Sequence, residues 1–98
     1  MKDILKHINK AFDHRIRLGI MSALIVNESV DFNTLKEILG VTDGNLASHI
    51  KALEKMKYIH IYKQFINKKP NTKYSVSKDG KSAFKKHIDA LEKLINTN

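Results

Sequence analysis

The chain has 98 residues, 42% apolar and 29% charged, and its 18 Lys and Arg outnumber 10 Asp and Glu for a net charge of +8. This size allows one thin core, which dimerisation would help to stabilise, and the composition excludes a disordered tail. The absence of cysteine excludes disulfides, thiol catalysis and thiolate metal sites, while the excess of cations fits either a nucleic-acid binder or a lysine-rich solvated surface.

No signal-like apolar run opens the chain, and nothing approaches the ~20 apolar residues of a membrane span. A cytoplasmic protein without a membrane partner is expected. Residues 3–10 carry Ile4, Leu5 and Ile8, followed by Phe12, an apolar stripe that predicts a short helix over about 3–12. A second helix is expected over 15–27, where Leu18, Ile20, Met21, Leu24 and Ile25 give the broad apolar face of a central helix.

Val30-Asp31-Phe32 is β-prone and can add one edge strand. Asn33 is a good N-cap for a third helix over 34–39, with Leu35, Ile38 and Leu39 inward and Gly40 placed for a C-cap. Thr42 can cap a fourth helix reaching about residue 57, held by Leu46, Ile50 and Leu53. Two helices joined through Gly40-Val41 read as a helix-turn-helix over about 34–57.

From Tyr58 the apolar period becomes two, with Ile59 and Ile61 alternating against His60 and Tyr62. Asn67-Lys68-Lys69-Pro70-Asn71 reads as a turn, and residues 72–77 alternate again with Tyr74 and Val76 on one face. That is a hairpin over about 58–77. Ser77 can cap a last helix over 78–95, in which Gly80 is a weak point. Its Phe84, Ile88, Leu91 and Ile95 repeat at spacings of 4, 3 and 4, a seam able to pair with another helix. The whole reads as one mainly α domain with a small β-hairpin (α+β), a winged helix-turn-helix spanning 1–98. Ile4, Leu5, Ile8, Phe12, Phe84, Ile88, Leu91 and Ile95 are the expected dimer interface of its terminal helices.

The fourth helix offers Thr42, Asp43, Gly44, Asn45, Ser48, His49 and Lys51 to a ligand. A recognition helix enters the major groove with its N-terminal half, where short polar side chains reach base edges or phosphates. Asn45 and Ser48 suit base edges, since an amide bonds adenine twice and a hydroxyl adapts to any base. Thr42 and the free first-turn N–H groups suit a phosphate, as do His49 and Lys51. Asp43 can accept from cytosine, or simply favour the helix dipole. Residues 55–78 hold seven lysines and no Asp or Glu. Lys63, Lys68, Lys69, Asn71 and Lys73 are therefore the expected wing contacts to phosphates or the minor groove, although lysines also protect edge strands.

Five histidines, His7, His14, His49, His60 and His87, show no metal-ligand spacing; His7 and His87 could meet at a dimer interface. No nucleophile–base pair or Gly-rich phosphate loop is present, so no cofactor, no metal and no catalysis are expected.

Arg17-Leu18-Gly19-Ile20-Met21-Ser22-Ala23-Leu24 resembles the Arg-Leu-x-Ile-Leu-x-x-Leu helix of ArsR-like winged-helix repressors. Asp31-Phe32, Thr42-Asp43-Gly44-Asn45-Leu46 and Ser48-His49-Ile50 resemble still more a compact one-domain branch of winged-helix DNA-binding proteins related to the MarR/ArsR regulators. The wing from Phe65 to Tyr74 and the start of the last helix, Ser77-Lys78-Asp79-Gly80-Lys81, extend the likeness to roughly residues 12–95. The resemblance implies a dimeric regulator of transcription, with its first and last helices making the dimer on a pseudo-palindromic duplex. Two departures stand out. The metal-binding cysteine motif of many arsenic-type repressors is missing, and Ser48 stands where those proteins often place arginine. The alternative from another class is a protein-interaction module that recruits a partner through its terminal helices; binding of structured RNA is a third. No polar cluster marks a small-molecule effector site.

Overall fold

The computed structural model describes residues 2–96. Their order is α1 (Lys2–Leu5), a 3-10 turn (Lys10–Phe12), α2 (Arg15–Val26), β1 (Val30–Asp31), α3 (Phe32–Leu39), α4 (Asp43–Lys55), β2 (Ile59–Ile66), β3 (Lys69–Val76) and α5 (Lys78–Asn96). The strands form one antiparallel sheet in the order β1-β3-β2, giving the α+β arrangement expected. Among the described residues no helix is long and apolar enough to cross a membrane.

The expected first helix is broken. Asn9 takes an extended backbone and its side-chain oxygen accepts from the Ala11 N–H at 2.9 Å, so it ends one turn and caps the next. Phe12 consequently leaves the exposed stripe and enters the core. The cap of α3 also differs. Asp31, extended because it pairs with Lys73 in the sheet, accepts from the Thr34 N–H at 2.8 Å. The helix therefore starts two residues before the expected place, and Ile38 faces outward. Gly40, at φ +62°, closes α3 with its N–H on the Lys36 carbonyl.

Helix α4 ends in a Schellman arrangement. The Tyr58 N–H reaches the Leu53 carbonyl at 3.0 Å and the Lys57 N–H that of Glu54 at 2.8 Å, with Lys57 itself at φ +64°. The hairpin turn is shorter than expected: only Asn67 and Lys68, both at positive φ, lie between the strands, as in a type I′ turn. Lys69, Pro70 and Asn71 belong to β3. Pro70 is tolerated there because it pairs with Phe65, one step beyond the closing hydrogen-bonded pair Ile66 and Lys69. Its missing donor would point away from β2, and β1 pairs only with Lys73 and Tyr74.

Ser77 joins three elements. Its hydroxyl donates to the Lys57 carbonyl at 2.7 Å and accepts from the Gly80 N–H at 2.9 Å, while its own N–H donates to the Tyr58 carbonyl at 2.9 Å. The start of α5 is thus pressed onto the Tyr58 backbone. A Cβ at Gly80 would fall 2.1 Å from the Tyr58 oxygen, so the apparent weak point is the residue this close approach requires.

Phe12, Ile20, Met21, Leu24, Leu35, Leu46 and Leu53 are the largest fully buried side chains. Burial of each contributes about 1.5–3 kcal/mol. The described chain measures 56 × 25 × 21 Å, and residues 62–70 of the hairpin are all exposed.

Candidate nucleic-acid interface

Helix α4 is fastened to the core by Leu46, Ile50 and Leu53, all buried. That stripe turns the opposite side outward, and Gly44, Asn45, Ser48 and Lys51 are exposed together. A Cβ at Gly44 would meet no atom within 4 Å, so this flank lies open. Thr42 caps the helix, its hydroxyl oxygen accepting from the Asn45 N–H at 3.2 Å. Asp43 meets Lys36 of α3 at 2.8 Å. This exposed pair adds little stability, but it turns the carboxylate toward α3.

His49, expected at the phosphate backbone, is turned toward α2 instead of standing free on this surface. It is half-buried, accepts at Nδ1 from the Arg17 Nε–H at 3.0 Å, and lies 4.2 Å, centroid to centroid, from the His14 ring. Burial, then the charges of His14 and Arg17, hold its imidazole below the ordinary histidine value. His14 in turn caps α2 through Nδ1, which accepts from the Ile16 N–H. No local pattern in the sequence signals this cluster, because Arg17 and His49 lie on different helices, thirty-two residues apart.

Of the expected wing residues, Lys63, Lys68 and Lys69 are exposed. Asn71 and Lys73 are half-buried and serve the protein itself. Asn71 accepts from Gln64 Nε2 at 3.1 Å across the hairpin. Bonds from Thr34 hold the Asp31 carboxyl below its ordinary value, and Asn71 and the Lys73 charge push the same way. Part of the wing's cationic charge is therefore spent at the cap of α3.

The terminal segments depart further from the expected arrangement. Phe12 is 0% and Phe84 7% exposed within the protomer, and their rings meet edge to face at 5.2 Å. They are core residues, not interface residues. The buried stripe of α5 is Gly80, Phe84, His87 and Ala90. Ile88, Leu91 and Ile95 flank it, with Ile88 and Ile95 exposed and Leu91 half-buried; Ile4 and Ile8 are half-buried and Leu5 is exposed. α1 packs on α5 around a cleft of about 410 Å³ lined by Ile4, His7, Lys86, Asp89, Ala90 and their neighbours.

His87 is also internal, at 2% exposure, so it cannot meet His7 at a surface. Its Nδ1 accepts from the Asn9 backbone N–H at 3.0 Å, and its ring packs against Phe12 and Phe84. It clamps the N-terminal segment to α5. Burial holds the His87 imidazole below its usual value, against a weaker upward pull from Asp13. An imidazole depressed in the folded state takes up a proton on unfolding. Its contribution is intact above the unfolded value of about 6.5 and is lost as the pH falls from there toward the folded value. His49 adds in the same direction. The melting temperature should therefore fall between about pH 7.5 and 5. His87→Gln, whose amide oxygen can still take the Asn9 N–H, should show a shallower fall. Equal slopes for the two proteins would remove His87 from this role.

The sequence matches the winged helix DNA-binding domain family over residues 16–95. An uncharacterised protein of Methanocaldococcus jannaschii is 37% identical over 79 residues, spanning 81% of this chain and 86% of that protein. A transcriptional regulator homologue from Pyrococcus horikoshii OT3 has a similar structure, with a TM-score of 0.88 at 28% identity over 98% of this chain and 96% of that one. An ArsR family transcriptional regulator shares the fold at 16% identity, with a TM-score of 0.64 over 100% of this chain and 96% of that one. The matched stretch runs from the first turn of α2 to the end of α5 and takes in the helix-turn-helix and its hairpin; the chain belongs to the winged helix DNA-binding domain family.

Proposed function

We propose that the protein regulates transcription as a homodimer that binds a pseudo-palindromic duplex in a sequence-specific manner and represses by occupying it. The observation that carries this reading is the open face of α4, which presents Gly44, Asn45, Ser48 and Lys51 on a helix fixed by three buried side chains. In a dimer, two such helices would enter successive major grooves about 34–36 Å apart. Asn45 and Ser48 read bases, Lys51 and the capped start of the helix take phosphates, and Lys63, Lys68 and Lys69 hold the backbone from the wing. The uncovered Ile88 and Ile95 on α5, with Leu5 nearby in α1, support a dimer through the terminal helices. Resemblance to arsenic-type repressors supports the sign of regulation, and a bacterial- or archaeal-type regulator of this kind would act on DNA in the cytoplasm.

In vitro selection of bound duplexes, followed by anisotropy titration and sedimentation, tests the whole reading. On the selected duplex, Asn45→Ala should lose about 1–3 kcal/mol while its affinity for random duplex stays unchanged. Equal losses on both duplexes would mean that Asn45 reads no base. A monomer at the concentrations where binding saturates would sink the dimer.

A further inference from the structure

The wing carries apolar surface that phosphate contact does not require. Phe65 is 76%, Tyr62 56% and Ile66 45% exposed, on a hairpin end where residues 62–70 are all exposed. Cations alone would suffice to hold a DNA backbone. Large apolar groups on an uncovered strand are a solubility and aggregation liability, and so mark a contact surface.

The sheet register sets how these groups are arranged. Phe65 lies opposite Pro70, and Ile66 opposite Lys69. Alternate residues share a face, so Lys63, Phe65, Pro70 and Thr72 extend the face that carries Ile59 and Ile61 in the core. Phe65 and Pro70 form a non-hydrogen-bonded pair, the kind in which facing side chains stand closest. Asn67 and Lys68 turn the chain immediately beyond them. The tip is an apolar edge bracketed by Lys63, Lys68 and Lys69, within a stretch of seven lysines and no carboxylate.

That charge pattern selects the occupant. A second wing would set lysine against lysine, and an uncharged protein surface would leave the cations uncompensated. The minor groove of duplex DNA offers phosphates on both rims, sugar walls with apolar C–H surface, and base steps whose stacked faces accept an apolar wedge. Phe and Pro are among the side chains that wedge between base steps from that groove. We infer that the wing tip inserts Phe65, backed by Pro70, into the minor groove at a deformable base step, with Lys63, Lys68 and Lys69 on the flanking phosphates. The inference rests on the DNA-binding function proposed above. It adds a sequence dependence without hydrogen bonds to bases, because pyrimidine–purine steps unstack most readily.

The test uses the full chain and two duplexes of identical length and composition, one centred on TTAA and one on AATT, titrated at several salt concentrations. A 2-aminopurine replaces an adenine of the central TA step. The wild type should prefer TTAA by roughly tenfold and raise the 2-aminopurine emission. Phe65→Ala should abolish both effects while keeping the slope of log affinity against log salt; Phe65→Leu should retain part of each. Lys68→Ala with Lys69→Ala should flatten the salt slope on both duplexes and keep the preference. The exposure of Phe65 keeps its truncation away from the core, and a thermal melt verifies the fold. Salt-dependent binding with no preference and no emission change, or wild-type behaviour in Phe65→Ala, would overturn the wedge alone. Loss of all duplex binding in the wild type would overturn the DNA-binding reading itself. Capture of vesicles rich in anionic phospholipid through Phe65, in place of these DNA responses, would reassign the tip to a membrane surface and overturn the proposal.

Discussion

Gly80→Ala is expected to destabilise the protein by about 3 kcal/mol or more, seen in a thermal melt as a fall of at least about 12 °C. Glycine to alanine inside a helix normally gains up to about 1 kcal/mol. At this position the new methyl would lie 2.1 Å from the Tyr58 carbonyl oxygen and 2.9 Å from its carbon. The obstacle is backbone, so no rotamer change relieves it. Moving Tyr58 would also disturb the bond its carbonyl accepts from Ser77. Gly44→Ala is the matched control. No atom lies within 4 Å of its added Cβ, so stability should hold or rise slightly. The methyl would stand on the proposed DNA-reading side, so affinity for a selected duplex should fall. A wild-type melting temperature for Gly80→Ala would mean that α5 does not press on Tyr58 as described.

Phe12→Ala should cost about 3–5 kcal/mol. The ring is fully buried and meets Tyr58 and Phe84 at 5.2 Å each and His87 at 5.5 Å. Its removal leaves a cavity where α5, the start of β2 and the N-terminal segment converge. The loss should appear as an equal drop in unfolding stability at every protein concentration, with self-association unchanged. Ile95→Asp, on an exposed side chain, should do the reverse: weaken association and spare the protomer. A Phe12→Ala variant whose only defect was weaker association would return Phe12 to the interface.

The contrast between these residues explains which features could be read from sequence. The helix-turn-helix was legible because its signals are local. Gly40 supplies a left-handed closure, Thr42 a cap, and Leu46, Ile50 and Leu53 an inward stripe, all within fourteen residues of chain. At Phe84, Ile88, Leu91 and Ile95 the spacing showed which side chains share a face. It could not show that Phe12 would cover the first of them and that the last would stay bare. The choice of Asp31 over Asn33 as a cap depended on strand pairing with a residue forty-two positions away. Asn9 splits the expected first helix by capping a separate 3-10 turn, through a side-chain bond that helical periodicity ignores. Inside the site, the exposed face of α4 was foreseen. The withdrawal of His49 toward Arg17 was not, because the partner lies on another helix.

The fastening at Ser77 has a mechanical consequence. One residue ties the carbonyls of Lys57 and Tyr58, where the hairpin begins, to the first turn of α5, where the hairpin has ended. The outgoing and returning strands are thus cinched at their base like the two arms of a tuning fork, with α5 as its stem. Swinging the base of this hairpin would strain these bonds. A tilt that reaches this base would load the first turn of the long helix, and a rotation of that helix would load the base of the wing.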